Sequence, residues 1–99
     1  MMNQSAKSGK VTVVAGGTAE TISVGFRPSY VRAFSVNNLV SYEHFYGMSA
    51  GTSLDTANHA DTQISVNAAA SITLTATGFT LGTDICDTTS DVVYWLAVR

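Results

Sequence analysis

One stretch, Gly25 to Met48, limits what this chain can become. It reads GFRPSYVRAFSVNNLVSYEHFYGM and contains the only proline of the sequence. A glycine at a strand end permits a sharp bend. Pro28 removes a ladder donor and pushes Arg27 toward extended backbone. The chain is therefore redirected just before a β-branched and aromatic run that begins at Tyr30. Tyr30, Arg32, Phe34 and Val36 share one face of that run, and Val31, Ala33 and Ser35 share the other. Both sets are largely apolar, which predicts a strand covered on both sides. Asn37-Asn38 tolerates left-handed backbone and predicts a tight turn. Leu39 to Met48 then returns, with Tyr42, His44, Tyr46 and Met48 on one face and Glu43, Phe45 and Gly47 on the other. Phe34 and Phe45 are expected to meet across this hairpin.

The same grammar runs through the rest of the chain. Met1 to Gly9 is small and polar and predicts a flexible N-terminal arm, leaving 10–99 as the folded domain. Lys10 to Ala15 and Thr18 to Val24 read as strands joined by a hairpin turn at Gly16-Gly17-Thr18. Ile22 and Val24 are expected to point inward and Thr18 and Glu20 toward solvent. Ser49 to Thr62 lacks an apolar period and predicts a surface loop. Gln63 to Val66 and Ile72 to Ala76 read as short strands, with a bend at Asn67 to Ala70. Thr77 to Gly82 repeats the glycine-phenylalanine bend of Gly25-Phe26. Thr83 to Ser90 predicts a polar loop. In Asp91 to Arg99 both alternating sets are apolar, which predicts a central strand or a strand that contributes to a subunit contact. The sum is a single antiparallel all-β sandwich, jelly-roll-like, of seven to eight short strands.

Composition narrows function more than fold. The chain has 99 residues, enough for one domain. Only 12% are charged while 45% are apolar, against about 25% charged in ordinary domains. Charge is depleted at the cores of protein interfaces, so this balance points to assembly; a neutral polar surface is the alternative. With a net charge of −2 and no basic stripe, the chain is not expected to bind nucleic acid. A single cysteine, Cys86, cannot form a disulfide within one chain. The N-terminus lacks the apolar core of a signal peptide, and no apolar run approaches the ~18 residues of a membrane span. The expectation is a soluble protein that makes no membrane contact.

No catalytic constellation emerges. His59 lies near Asp55 and Asp61, and Asp84, Asp87 and Asp91 crowd the last loop. Neither set has the spacing of a metal site, so solvated loop and turn capping are the expectations, with no metal and no cofactor. Acidic neighbours raise the pKa of Cys86 and argue against a nucleophile. Tyr42, Tyr46, Tyr94 and Trp95 are either a sugar-stacking platform or core and interface side chains.

Several of these segments resemble a family. Gly25-Phe26-Arg27-Pro28-Ser29-Tyr30-Val31 resembles the GFxPxxV element of small β-structured proteins from tailed-phage structural modules. Gly47-Met48, Gly78-Phe79-Thr80-Leu81-Gly82 and Val93-Tyr94-Trp95-Leu96-Ala97 are similar, in the same order, to the family's later motifs. The resemblance covers the chain from Gly25 onward. It implies a non-enzymatic virion protein, made in the host cytoplasm and carried on the capsid surface. The leading role is a decoration (cement) protein that binds the major capsid protein, often as a homotrimer. The alternative is a tail- or head-fibre module that binds host glycans. Contact with partners is expected from Lys7, Lys10, Arg27, Arg32, Tyr42, His44, Tyr46 and Arg99.

Overall fold

The computed structural model describes residues 5–57 and 64–99. Among them are nine strands and no helix: β1 (Ala6–Thr12), β2 (Glu20–Ser23), β3 (Tyr30–Ser35), β4 (Val40–Phe45), β5 (Ser53–Ala57), β6 (Ile64–Asn67), β7 (Ile72–Leu74), β8 (Gly78–Leu81) and β9 (Val92–Val98). They form two antiparallel sheets, a six-stranded one in the order β1-β9-β3-β4-β5-β6 and a three-stranded one in the order β2-β8-β7. The expected all-β sandwich is present, with its strands divided six to three.

The core lies between the sheets. Val31 and Ala33 of β3, Tyr42 of β4, and Val93 and Ala97 of β9 face Ile72, Phe79 and Leu81 of the smaller sheet. The Phe79 ring meets the Trp95 indole edge-on, with centroids 5.4 Å apart. Val13, Val24, Ile85 and Cys86 close the ends of this layer from the connecting segments.

Several local expectations change. The first strand starts at Ala6, inside the expected arm, and pairs with β9 from Ala6↔Val98 to Thr12↔Val92. β2 belongs to the other sheet and pairs with β8, so Gly16-Gly17-Thr18 joins two sheets instead of two hairpin strands. Along β2 the alternation places Glu20 on the Ile22 side. Glu20 is accordingly half-buried, and its carboxylate accepts from the Val14 N–H at 3.3 Å. The segment expected as a loop after Ser49 contains β5, which pairs with β4 and β6. Gly78 to Leu81 is a strand and not a turn. Across the β3–β4 hairpin Phe34 lies opposite Ser41, and Phe45 lies opposite Tyr30 with ring centroids 5.4 Å apart. In the turn between them Leu39, not an asparagine, takes the positive φ, at 55°.

Polar groups hold this turn to the end of the chain. Asp91 is buried and accepts from Ser35 Oγ at 2.6 Å and from the Asn37 N–H at 2.8 Å. Its own carbonyl accepts from the Val13 N–H at 2.8 Å. Removing the carboxylate in Asp91→Ala leaves the buried Ser35 hydroxyl and the part-buried Asn37 N–H without their acceptor, so a loss of about 2–4 kcal/mol is expected. Asp91→Asn keeps one acceptor and should lose less. Urea unfolding of both variants checks the order.

Candidate interaction surface

The alternation of β3 and β9 builds the most distinctive surface. Inward side chains of the six-stranded sheet meet the three-stranded sheet. Outward ones meet nothing among the described residues. Tyr94 and Leu96 keep 51% and 36% of their surface, while Val93 between β1 and β3 keeps 0%. Register places Leu96, Arg32, Glu43, Leu54 and Val66 in one row across β9, β3, β4, β5 and β6. Tyr94, Phe34, Ser41, Thr56 and Ile64 form the next row. Six of the ten large apolar side chains exposed among the described residues share this face: Phe34, Phe45, Ile64, Val66, Tyr94 and Leu96. Single exposed apolar residues are ordinary, but six gathered on one face of a sheet mark a contact surface.

Among the described strand residues the outward charges are few, and two of them are central. Arg32 and Glu43 are direct cross-strand partners at the midline of the six strands. Arg32 donates to Ser41 Oγ at 3.4 Å, and Glu43 accepts from the Tyr30 hydroxyl. Burial, then the Glu43 hydrogen bond and charge, push the Tyr30 phenol up to about 12, so it stays a donor at physiological pH. Lys10 stands at the margin, opposite Tyr94 on β1. A shallow depression of about 400 Å³ lies on this face, lined by Arg32, Phe34, Ser41, Tyr94, Trp95 and Leu96.

No protein-family model, curated protein or solved structure matches this chain. The surface itself therefore carries the functional argument.

Of the expected contact residues, the structure brings only Arg32, with Lys10 at the edge, onto this face. Arg27 is exposed in the segment before β3. Arg99 is exposed and stacks its guanidinium over Phe26, 5.6 Å from the ring centroid. Lys7 alternates to the opposite side of β1 from Lys10 and is half-buried. Tyr46 lies beyond the end of β4 and is 76% exposed. Tyr42 and His44, expected as partner contacts, are instead buried inside this chain. His44 Nδ1–H donates to the Thr52 carbonyl oxygen at 2.6 Å, which satisfies a ring that otherwise belongs in water. Phe34, Phe45, Tyr94, Leu96, Ile64 and Val66 lie on this face without being among the contacts that the sequence predicts. The signal for the β3 and β9 members was present in strands apolar on both sides.

The four aromatics considered as a sugar platform separate. Tyr94 points outward and Tyr46 sits past the strand, whereas Tyr42 and Trp95 share the inward alternation. The acidic loop residues are engaged in local structure. Asp84 accepts from Asn67 Nδ2 and the Ala70 N–H, and Asp87 accepts from Asn38 Nδ2. Burial, with the Glu20 charge second, pushes the Cys86 thiol up to about 11, which leaves it protonated and a poor nucleophile. His59 and Asp61 lie outside the described residues.

Proposed function

We propose that this chain is a non-enzymatic structural protein of a tailed-phage virion, a capsid decoration protein that braces neighbouring capsid subunits. The observation that carries the reading is the exposed, nearly uncharged outer face of the six-stranded sheet. Exposed apolar surface is unfavourable in water, and its burial against protein is favourable. The motif resemblance from Gly25 onward supplies the virion context. The partners in this reading are the major capsid protein and other copies of the chain, on the capsid surface.

Particles assembled without the protein, then mixed with it and sedimented, test the reading. Retention of the protein on the shell and a higher temperature of particle rupture are expected. A protein that stays in the supernatant would sink it.

The depression between Phe34 and Tyr94 favours a second reading, a fibre module binding host glycans, because an aromatic wall beside Arg32 and Ser41 suits a sugar ring. Binding to a glycan array, lost in Tyr94→Ala, together with no retention on capsids, would replace the first reading with the second.

A further inference from the structure

We infer that the outer face of the six-stranded sheet is covered by a second copy of this chain, packed face to face about a twofold axis that runs along the strands between β3 and β4. The inference deepens the assembly reading and rests on it only in taking a protein as the occupant.

The central hairpin of the sheet suits such an axis. The midline of β1-β9-β3-β4-β5-β6 falls between β3 and β4. A twofold on that line exchanges β3 with β4 and keeps each cross-strand row level. Every register pair then lies over its own image with the members swapped. Arg32 is placed over Glu43 of the other copy, and Glu43 over Arg32, so the central opposite charges meet twice. In the next row Phe34 is placed over Ser41, large over small, on both sides of the axis. Tyr30 and Phe45, already in contact at 5.4 Å, are placed over their own images as an aromatic cluster. Further out, β9 is placed over β5, which sets Leu96 over Leu54. A residue that meets j while j meets it is the mark of an isologous contact.

Size agrees with this. Six strands at about 4.8 Å spacing, each about six residues long at about 3.3 Å per residue, give a planar footprint of roughly 600 Å². Accessible area exceeds planar projection, so the face approaches the about 800 Å² per partner of a specific interface. Aligned sheets pack about 10 Å apart, close enough for these side chains to interdigitate. The charge pair fixes the register, and the apolar surface around it supplies the attraction. The pair would carry a three-stranded sheet on each outer side, a bivalent unit able to bridge two capsid subunits. The expected oligomer is thus a dimer, in place of the trimer that the family resemblance implies.

Light scattering on the purified chain, over a wide concentration range, gives the first answer. A mass twice the 10.4 kDa of one chain is expected. A monomer throughout, or a trimer, overturns the pairing. Charge reversal gives the second answer. Arg32→Glu and Glu43→Arg should each be monomeric alone, because like charges then face each other. Mixed together they should recover the dimer, because each now complements the other. Dimers of either variant alone, or a mixture that stays monomeric, overturn the proposed axis. Tyr94→Lys, at a half-exposed position, provides a variant whose folding is not at stake and should also be monomeric; a Tyr94→Lys dimer overturns the pairing. The two readings fail separately. A monomer retained by capsids removes the pairing alone, and a dimer that capsids ignore removes the decoration role alone.

Discussion

Phe79→Ala is expected to lower folding stability by about 3–5 kcal/mol, the range for deleting a buried aromatic side chain. Phe79 sits on β8, the middle strand of the three-stranded sheet, and has no exposed surface. Its ring reaches across the sandwich to Trp95 of the larger sheet. Deleting it leaves a cavity where the two layers meet, and it removes the chief aromatic contact between them. A domain of this size has a total stability of about 5–15 kcal/mol, so the variant should sit near the edge of folding. The melting temperature should fall on the order of 15–30 °C. Trp95 is the only tryptophan, so its emission reports the same contact directly and should shift to the red. A variant that melts like the parent would show that the sheets are joined by other means.

Gly78→Ala should be comparably damaging for a different reason. A Cβ at Gly78 would lie 1.9 Å from the Ile22 carbonyl oxygen, 2.9 Å from the Ile22 carbonyl carbon and 3.0 Å from the Ser23 Cα. All three are backbone atoms of the neighbouring strand, so no side chain can swing aside. The β2–β8 ladder, with Ile22↔Phe79 and Ser23↔Gly78 in register, would have to open. A loss of about 3–5 kcal/mol is expected, or a chain that fails to fold. Gly17→Ala is the control. Gly17 has φ 84° but nothing within 4 Å of its Cβ position, so its cost is backbone strain alone, about 1 kcal/mol. Amide exchange in β2 should quicken in Gly78→Ala and stay slow in Gly17→Ala. Equal behaviour of the two variants would contradict the steric account.

The strands that the sequence announces are those with regular apolar alternation. Tyr30–Ser35, Val40–Phe45 and Val92–Val98 fall within a few residues of expectation. The strands that it hides are polar for identifiable reasons. In β5 the inward positions are Ser53 and Asp55, which look like loop residues. They are tolerable inside because Ser53 shares hydrogen bonds with Ser71 and Asp55. In β1, Ser8 and Gly9 have little strand character of their own. The segment is extended because the open edge of β9 offers a ladder to fill. Gly9 leaves room there for the Trp95 indole, which a Cβ would approach to 2.8 Å.

The candidate surface was half legible. Arg32 could be named because a cation in an apolar strand stands out. His44 and Tyr42 could not be separated from exposed residues, since a buried histidine differs only in finding a carbonyl such as that of Thr52.

The antiparallel β character of this chain is written locally, because period-two alternation and turn residues act over a few neighbouring positions. Which apolar faces are covered is settled by the packing of the two sheets. Both faces of β3 and β9 read as buried, yet the second sheet has three strands against six and lies on one side. Coverage depends on contacts between residues far apart in the chain, which local pattern does not encode. Among the described residues, the outer face of the six-stranded sheet is the one on which no other strand of this chain lies.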